Sequence, residues 1–135
     1  MKENILADIK LSDIYVEIAH SNIEYLQLFA MLEGQVVGTV NVEAWGRKFL
    51  PFICRLWVAD AFRREGIAEM LLKEIEHRAR LNENTSLALY VHKTNVAARQ
   101  LYEKLGFFAA TVDTDGECLY AKQLNGNNNF CVVKK

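Results

Sequence analysis

The sequence predicts an α+β fold, a mixed and mostly antiparallel sheet with two helices, for a chain of 135 residues. Three observations predict it. Apolar and β-branched residues alternate with polar ones through much of the first half, which is typical of strands. Residues 66–81 repeat apolar side chains every three or four positions, as an amphipathic helix does. Apolar runs before and after that helix complete a strand–helix–strand unit, in which the two strands are parallel.

The first half of the chain is predicted to consist of strands. Apolar residues occupy alternate positions at 5–11 and again at 14–18, which suits an extra N-terminal strand or hairpin. Residues 25–32 are apolar on both faces, and a glycine turn separates them from a β-branched run at 36–42, so the two runs form a hairpin. A helix over 22–32 is the competing interpretation.

The second half combines strands with helices. A strand is predicted at 52–58, followed by the amphipathic helix at 66–81. A second helix begins near residue 95 and stops at Gly106, because glycine is common just past a helix end. The remaining elements are a strand at 87–91 and a final hairpin of strands at 107–112 and 118–121.

Charge and hydropathy exclude two classes of partner. Residues 1–50 carry 4 basic and 7 acidic side chains, a net of −3, and residues 51–135 carry 12 and 10, a net of +2. Neither half is polybasic, so we expect no nucleic-acid partner. No apolar run reaches the roughly 18 residues of a membrane helix, so we expect no membrane partner either.

Cysteine usage and local composition predict the compartment and the domain boundaries. Cys54, Cys118 and Cys131 show no metal-ligand spacing, so we expect free thiols in a reducing cytoplasm and no metal. We also expect no signal peptide at the N-terminus. We expect one domain over 1–124 and an Asn-rich C-terminal tail over 125–135.

A glycine turn between the strand at 52–58 and the helix at 66–81 suits a diphosphate. Its sequence is Arg63-Arg64-Glu65-Gly66-Ile67-Ala68. A helix start directs free N–H groups and the positive end of the helix dipole at one place, and the glycine lets backbone approach a ligand. The competing interpretation is an ordinary basic helix start, because the turn lacks the spacing and the Lys-Ser/Thr pair of a nucleotide P-loop.

A second group of candidate residues lies on the second helix. Asn95 and Tyr102 are seven positions apart, close to two helical turns, so they share a face with the small Ala98 between them. A ligand can lie along this face between an amide and a phenol. The structural alternatives are a helix N-cap for Asn95 and a half-buried aromatic for Tyr102.

Together the two groups resemble the GNAT superfamily of acyl-CoA-dependent N-acetyltransferases. Residues 56–68 are similar to its Arg/Gln-x-x-Gly-x-Gly/Ala loop, and residues 95–107 are similar to its Asn…Tyr-Glu-Lys-x-Gly-Phe helix. The resemblance covers about residues 30–112. It implies a sheet splayed between the strands at 52–58 and 86–92, with acetyl-CoA as co-substrate in the gap and no metal.

The resemblance also implies a role for each residue of the motifs. The backbone around Trp57 and Val58 would pair with pantetheine, and an N–H near Val58 would stabilise the oxyanion. Tyr102 would protonate the leaving thiolate, and Asn95 and Ala98 would line the far wall with it. The residues implied to hold the pyrophosphate are Arg63, Arg64, Gly66, Ile67 and Ala68.

The chain departs from the family pattern where a carboxylate base is often found. The position before Val91, often Glu in the family, is Tyr90. We rank Glu43 first as the base because Asn41, Glu43 and Trp45 are predicted to share one strand face. His92, or a water chain to Glu17 or Glu24, is the alternative base, and an exposed edge glutamate or a loop histidine is the structural interpretation.

Three residues are candidates for contact with the acceptor: Arg55, Tyr90 and His92. Arg55 is predicted to share a face with Ile53 and Trp57 in a central strand, where a buried arginine needs an anionic partner. That partner is either the acceptor or Glu43. Cys54 points to the opposite face and is interpreted as a small core residue.

The sequence therefore predicts an enzyme that moves an acetyl group from acetyl-CoA to a primary amine, and the alternative is a non-catalytic acyl-CoA-binding regulatory module. In the family, two helices usually follow the first strand and form one wall of the acceptor site. Here only 24 residues precede the hairpin at 25–42. We expect the helix pair to be lacking, which leaves a wide cleft for a peptide or protein amine, or one closed by a second subunit of a homodimer.

Overall fold

The computed structural model describes residues 5–18, 23–45 and 50–124. The strands and helices, in chain order, are β1 (Lys10–Ile18), β2 (Ile23–Leu32), β3 (Gln35–Glu43), β4 (Phe52–Val58), α1 (Ile67–Leu81), β5 (Ser86–His92), α2 (Val96–Lys104), β6 (Phe108–Val112) and β7 (Glu117–Gln123). Short 3₁₀ turns at Ile5–Asp8 and Asp60–Phe62 precede β1 and α1. The predicted tail at 125–135, with Cys131, lies outside the described residues.

The strands form one seven-stranded sheet in the order β1-β2-β3-β4-β5-β7-β6. Every neighbouring pair is antiparallel except β4 and β5, which are parallel. The parallel pair flanks α1 in sequence, so it is the predicted crossover unit. The α+β class with a mixed, mostly antiparallel sheet is therefore confirmed.

The N-terminal hairpin replaces the helix pair that the family resemblance implies. β1 and β2 are antiparallel, and their register runs from Lys10 opposite Met31 to Ile18 opposite Ile23. The four residues that join them are too few for two helices. The hairpin prediction is confirmed, and the competing helix at 22–32 is wrong, because β2 pairs along its whole length with a strand on each side.

Residues 5–9 differ from the strand that their alternation predicts. Ile5–Asp8 is a 3₁₀ turn, and β1 begins only at Lys10. Ile5, Leu6 and Ile9 all pack against the core. Their one- and four-residue separations suit a helical turn better than a strand, in which Ile5 and Leu6 would face opposite sides. The short alternating run therefore does not distinguish the two conformations.

Both helices pack against the same core. α1 buries Ile67, Leu71, Leu72, Ile75 and Ala79, and α2 buries Tyr102. The helices are also joined at the surface, where the Lys104 ammonium lies 3.1 Å from a Glu69 carboxylate oxygen. Within the described ranges, no helix is both long and apolar enough to cross a membrane.

Candidate active site

The turn before α1 leaves the start of that helix open. Gly66 is the N-cap, with φ of +90°, and no side chain caps the helix. The first helical bond runs from the Met70 N–H to the Gly66 carbonyl, so the N–H groups of Ile67 and Ala68 precede the hydrogen-bonded ladder. An uncapped start of a 15-residue helix suits an anion.

The two arginines of this turn have different surroundings. Arg63 lies 2.9 Å from a carboxylate oxygen of Asp60, and its Nε donates to the Val58 carbonyl at 3.1 Å. Arg64 is exposed and has φ of +66°, an uncommon conformation for a residue with a Cβ. Asp60, which the sequence reasoning did not include, therefore holds the Arg63 guanidinium beside the end of β4.

β4 and β5 pair only over the first two residues of β4 and the middle of β5. The register has two pairs, Phe52 with Ala88 and Ile53 with Leu89. The Ala59 N–H donates to Val37 of β3, and because successive residues of a strand face opposite neighbours, the Val58 N–H and carbonyl face the gap beside β5. The structure thus contains the predicted splay, with backbone donors and acceptors of β4 along one side of it.

Asn95 has the structural role that the sequence offered as its alternative. Its Oδ1 accepts a hydrogen bond of 3.3 Å from the Ala98 N–H, so it is the N-cap of α2. Its side chain is exposed. Contact between Asn95 or Ala98 and CoA stays a prediction.

Tyr102 is buried, with 8% of its surface exposed. Its ring packs edge-on against Phe107 and Tyr120, at centroid distances of 6.1 and 6.4 Å. Burial raises the pKa of the Tyr102 phenol, so the hydroxyl keeps its proton at neutral pH. Among the described residues that hydroxyl has no hydrogen-bond partner, which leaves its proton for a ligand.

A cleft of about 470 Å³ opens at the ends of β3, β4 and β5. The rings of Phe52 and Tyr90 stack with their centroids 5.5 Å apart and an angle of 12° between their planes. The residues lining this cleft are Glu43, Phe52, Ile53, Cys54, Arg55 and Tyr90. The volume lies in the range of small-molecule sites.

Cys54 belongs to this cleft and is half-buried, although the sequence reasoning placed it in the core. Burial and then the charge and hydrogen bond of Glu43 raise the pKa of its thiol, Arg55 lowers it, and the result is a pKa of about 11. Glu43 and Arg55 therefore both lie close to the thiol. The two-residue spacing of Phe52 and Cys54 on one strand face is the signal that could have placed Cys54 here.

A bulge in β4 changes which side chains share a face. Asn41 pairs with Cys54 and Thr39 with Trp57, so two residues of β4 lie opposite one residue of β3. Arg55, with φ of +52°, is one of the two. The prediction that Arg55 shares a face with Ile53 and Trp57 is wrong, because the extra residue breaks the alternation between them.

The end of β3 also differs from the prediction. Glu43 is the last residue of an interior strand, and Ala44 follows with φ of +57°. After this turn Trp45 lies away from the cleft, near the C-terminal end of α1. Its carbonyl accepts a hydrogen bond of 3.2 Å from Nδ2 of Asn82, the C-cap of that helix. The prediction that Trp45 shares the face of Asn41 and Glu43 is therefore wrong. Asn41 Oδ1 is buried without a hydrogen-bond partner among the described residues.

His92 has partners at both ring nitrogens. Nδ1 accepts from the Thr94 N–H at 3.2 Å, so Nε2 carries the proton and donates to the Asp115 carbonyl at 3.0 Å. These bonds tie the end of β5 to the β6–β7 turn, which favours the structural interpretation, and a catalytic or acceptor role for His92 stays a prediction. The side chains of Glu17 and Glu24 lie outside the described part of the chain.

The comparisons with known proteins agree with this geometry. The sequence model of the acetyltransferase (GNAT) family matches residues 6–107. The N-acetylaspartate synthetase of Xenopus tropicalis is 36% identical over 78 residues, which is 58% of this chain and 29% of that protein. The chain thus spans less than a third of the length of this relative.

Solved structures show the same fold. A GNAT acetyltransferase from Elizabethkingia anophelis with acetyl-CoA bound has a TM-score of 0.71 and 16% identity, and covers 87% of this chain and 99% of its own. The PaiA N-acetyltransferase of Thermoplasma acidophilum in complex with coenzyme A has a TM-score of 0.66 and 23% identity. The match covers 73% of this chain and 60% of that one.

Proposed function

Since the chain belongs to the GNAT family of acetyltransferases, we propose that it transfers an acetyl group from acetyl-CoA to a primary amine, which attacks the thioester directly. The observation that carries the proposal is the gap between β4 and β5, with an uncapped helix start at one end and the cleft of Glu43 at the other. A thioester bound in that gap would meet an amine from the cleft.

The residues beside the gap fit the acyl donor. The N–H groups of Ile67 and Ala68 would bind the diphosphate, and Gly66 would leave room for its approach. Arg63 would exchange Asp60 for a phosphate oxygen or hold the end of β4 in place, and Arg64 would add charge. The backbone of Trp57 and Val58 would pair with pantetheine. Asn95, Ala98 and Tyr102 would form the opposite wall.

Three groups would then carry the reaction. Acetyl-CoA supplies an activated acyl group. Glu43 would take a proton from the acceptor ammonium, directly or through water, and the neutral amine that results would attack the thioester carbonyl. The Val58 N–H faces the gap and would stabilise the negative charge that develops on the carbonyl oxygen. Tyr102, whose raised pKa keeps it protonated, would donate a proton to the leaving sulfur.

The acceptor that we propose is a peptide or protein amine. The direct β1–β2 connection leaves the cleft without the helix pair that usually forms one wall. A site open on that side admits a chain end or a lysine side chain, and holds a small amine through few contacts. A small amine is the second candidate, favoured if a second subunit closes the cleft. We also propose that the protein works in the cytoplasm.

A non-catalytic acyl-CoA-binding module is the competing function, and Tyr90 at the position where the family often has Glu favours it. Release of CoA thiol from acetyl-CoA, measured with and without a mixture of amines, distinguishes the two. The enzyme releases thiol only with amines present and transfers the acetyl group to one of them. Acetyl-CoA bound without release under any mixture would identify the binding module.

A further inference from the structure

Arg55 occupies a backbone position that few arginines adopt. It lies in the bulge of β4 with φ of +52°, in the left-handed region that is sterically unfavourable for a residue with a Cβ. Such a conformation persists only where the surrounding structure imposes it. The β3 and β5 pairings on the N-terminal side of the bulge and the β3 pairing on its C-terminal side impose it here.

The bulge places a cation in the cleft opposite an anion. Glu43 and Arg55 are the charged residues among those that line it. Both line the cleft together with Cys54. In agreement with this, the two charges shift the pKa of the Cys54 thiol in opposite directions. The stacked rings of Phe52 and Tyr90 form a flat apolar wall beside them.

Arg55 has no carboxylate partner among the described side chains. Arg63 and Arg78, by contrast, each lie within ion-pair distance of an aspartate, Asp60 and Asp13. The sequence left two partners open for Arg55, Glu43 or the acceptor. No ion pair between Arg55 and Glu43 is found within 4.0 Å, and Arg55 is exposed at the cleft. Among the described residues, the Arg55 guanidinium is therefore available to an anionic group of a molecule bound in the cleft.

We propose that the acceptor carries a carboxylate close to its reactive amine, and that Arg55 is the residue that selects it. This inference rests on the proposed acetyl transfer. The amine goes to Glu43, the carboxylate goes to the Arg55 guanidinium, which binds carboxylates with two parallel hydrogen bonds, and the connecting carbons lie against Phe52 and Tyr90. A polyamine or an aminoglycoside is disfavoured, because its second cation meets Arg55.

Two classes of molecule carry a carboxylate close to a reactive amine: a free acidic amino acid and a peptide with an acidic first residue. The test therefore compares matched pairs in the CoA-release assay: free aspartate with its diamide, and tripeptides that begin with Asp or with Asn. The wild-type protein should acetylate the acid of at least one pair with a kcat/KM about 10- to 100-fold above its amide, the range of one charge-assisted recognition. The pair with the larger acid-to-amide ratio of kcat/KM shows whether the acceptor is a free amino acid or a peptide.

Variants separate selection from a general loss of activity. In Arg55→Gln the acid-to-amide ratio should fall to near one, and Arg55→Lys should keep part of it, because lysine keeps the charge without the paired geometry. Lys10→Gln removes the same charge from the exposed start of β1 and should leave the ratio unchanged. Thermal unfolding of each variant confirms that it is folded.

The proposal is overturned if the wild-type protein prefers the amides, or if Arg55→Gln lowers kcat/KM without changing the ratio. Failure of the proposed function has a different signature, since acetyl-CoA would then bind without any acetyl transfer. In that case calorimetry of the same pairs on the CoA-loaded protein still decides the role of Arg55. Tighter binding of the acids that Arg55→Gln abolishes supports the inference, and equal binding of acids and amides contradicts it.

Discussion

The two sides of the gap between β4 and β5 are built in different ways. The side that we propose to bind the acyl donor consists of the α1 start and α2, and its residues are close together in sequence: Gly66 with Ile67 and Ala68, and Asn95 with Tyr102. The acceptor side brings together Glu43, Arg55 and Tyr90 from three strands.

This difference predicts which substitutions have effects that depend on the acceptor amine and which do not. A helix start with a glycine N-cap binds an anion through backbone groups, whatever the neighbouring side chains are. The proposed acceptor side would bind through side chains whose placement depends on strand register and on the bulge at Arg55. We therefore expect substitutions on the donor side to affect CoA binding or the chemical step for every acceptor, and those on the acceptor side to depend on the amine.

The largest effect should come from the phenol beside the donor. Tyr102→Phe should lower kcat by about 10²–10⁴-fold with every acceptor, because the proposed proton donor for the leaving sulfur is lost. Its unfolding free energy should hardly change, since the hydroxyl has no partner among the described residues. Steady-state CoA release and thermal unfolding measure the two quantities.

Tyr120→Phe is the matched control for that variant. Tyr120 is buried next to Tyr102, and its hydroxyl accepts from Arg99 Nε at 3.0 Å. Losing this bond should lower stability by about 1 kcal/mol without the large loss in kcat. Equal losses of kcat in both phenylalanine variants would remove the catalytic role of Tyr102.

On the acceptor side, Glu43→Gln should lower kcat/KM near pH 7 by about 10²-fold, because the ammonium loses its base. The deficit should shrink as the pH approaches the pKa of the acceptor amine, since the amine then loses its proton to solvent. The pH profiles of the two proteins measure this. If the loss of kcat/KM in Glu43→Gln stays constant with pH, Glu43 does not act as the base for the ammonium.

Gly66→Val should weaken CoA binding by about 10-fold, because one or two hydrogen bonds from backbone to a charged group are worth that much. Valine at φ of +90° also strains the turn and brings a Cβ to 3.3 Å from Leu6 Cδ1. Gly34→Val is the control, since Gly34 has φ of +79° with nothing within 4 Å of the added Cβ. Calorimetry should show weaker CoA binding in the first variant only. Unchanged binding in Gly66→Val means that the diphosphate lies elsewhere.

The smallest expected effect tests whether the charges of Glu43 and Arg55 both lie near the Cys54 thiol. Burial and Glu43 raise the Cys54 pKa to about 11, so less thiolate is present near neutral pH than in a free cysteine. Alkylation of Cys54, followed by mass spectrometry, should be a few-fold faster in Glu43→Gln and slower in Arg55→Gln, because the two charges shift the pKa in opposite directions. If the alkylation rate changes in the same direction in both variants, one of the two charges lies away from the thiol.

The sequence predicts the donor side well because its signals are local. The apolar period of α1, the glycine that becomes its N-cap and the stop of α2 at Gly106 can all be read within one or two turns of chain. The hairpin at Gly34 is equally local, since Glu33 and Gly34 both have the positive φ that a two-residue hairpin turn requires.

The acceptor side is harder to predict because its determinants are not local. Nothing in Cys54-Arg55-Leu56 marks a bulge, and one extra residue reverses the face of every side chain that follows. Ala44, with φ of +57°, similarly removes Trp45 from the face of Glu43. Both positions lack the glycine that usually signals a left-handed backbone, so strict alternation assigns the wrong neighbours.

The crystal structure of the protein with CoA and a bound amine tests the central claim most directly. The account predicts the diphosphate at about 3 Å from the Ile67 and Ala68 N–H groups, and the sulfur between β4 and β5 within reach of the Tyr102 hydroxyl. It also predicts the amine on the Glu43 side of that sulfur. A diphosphate bound away from the start of α1, or a sulfur outside the gap, would contradict the account.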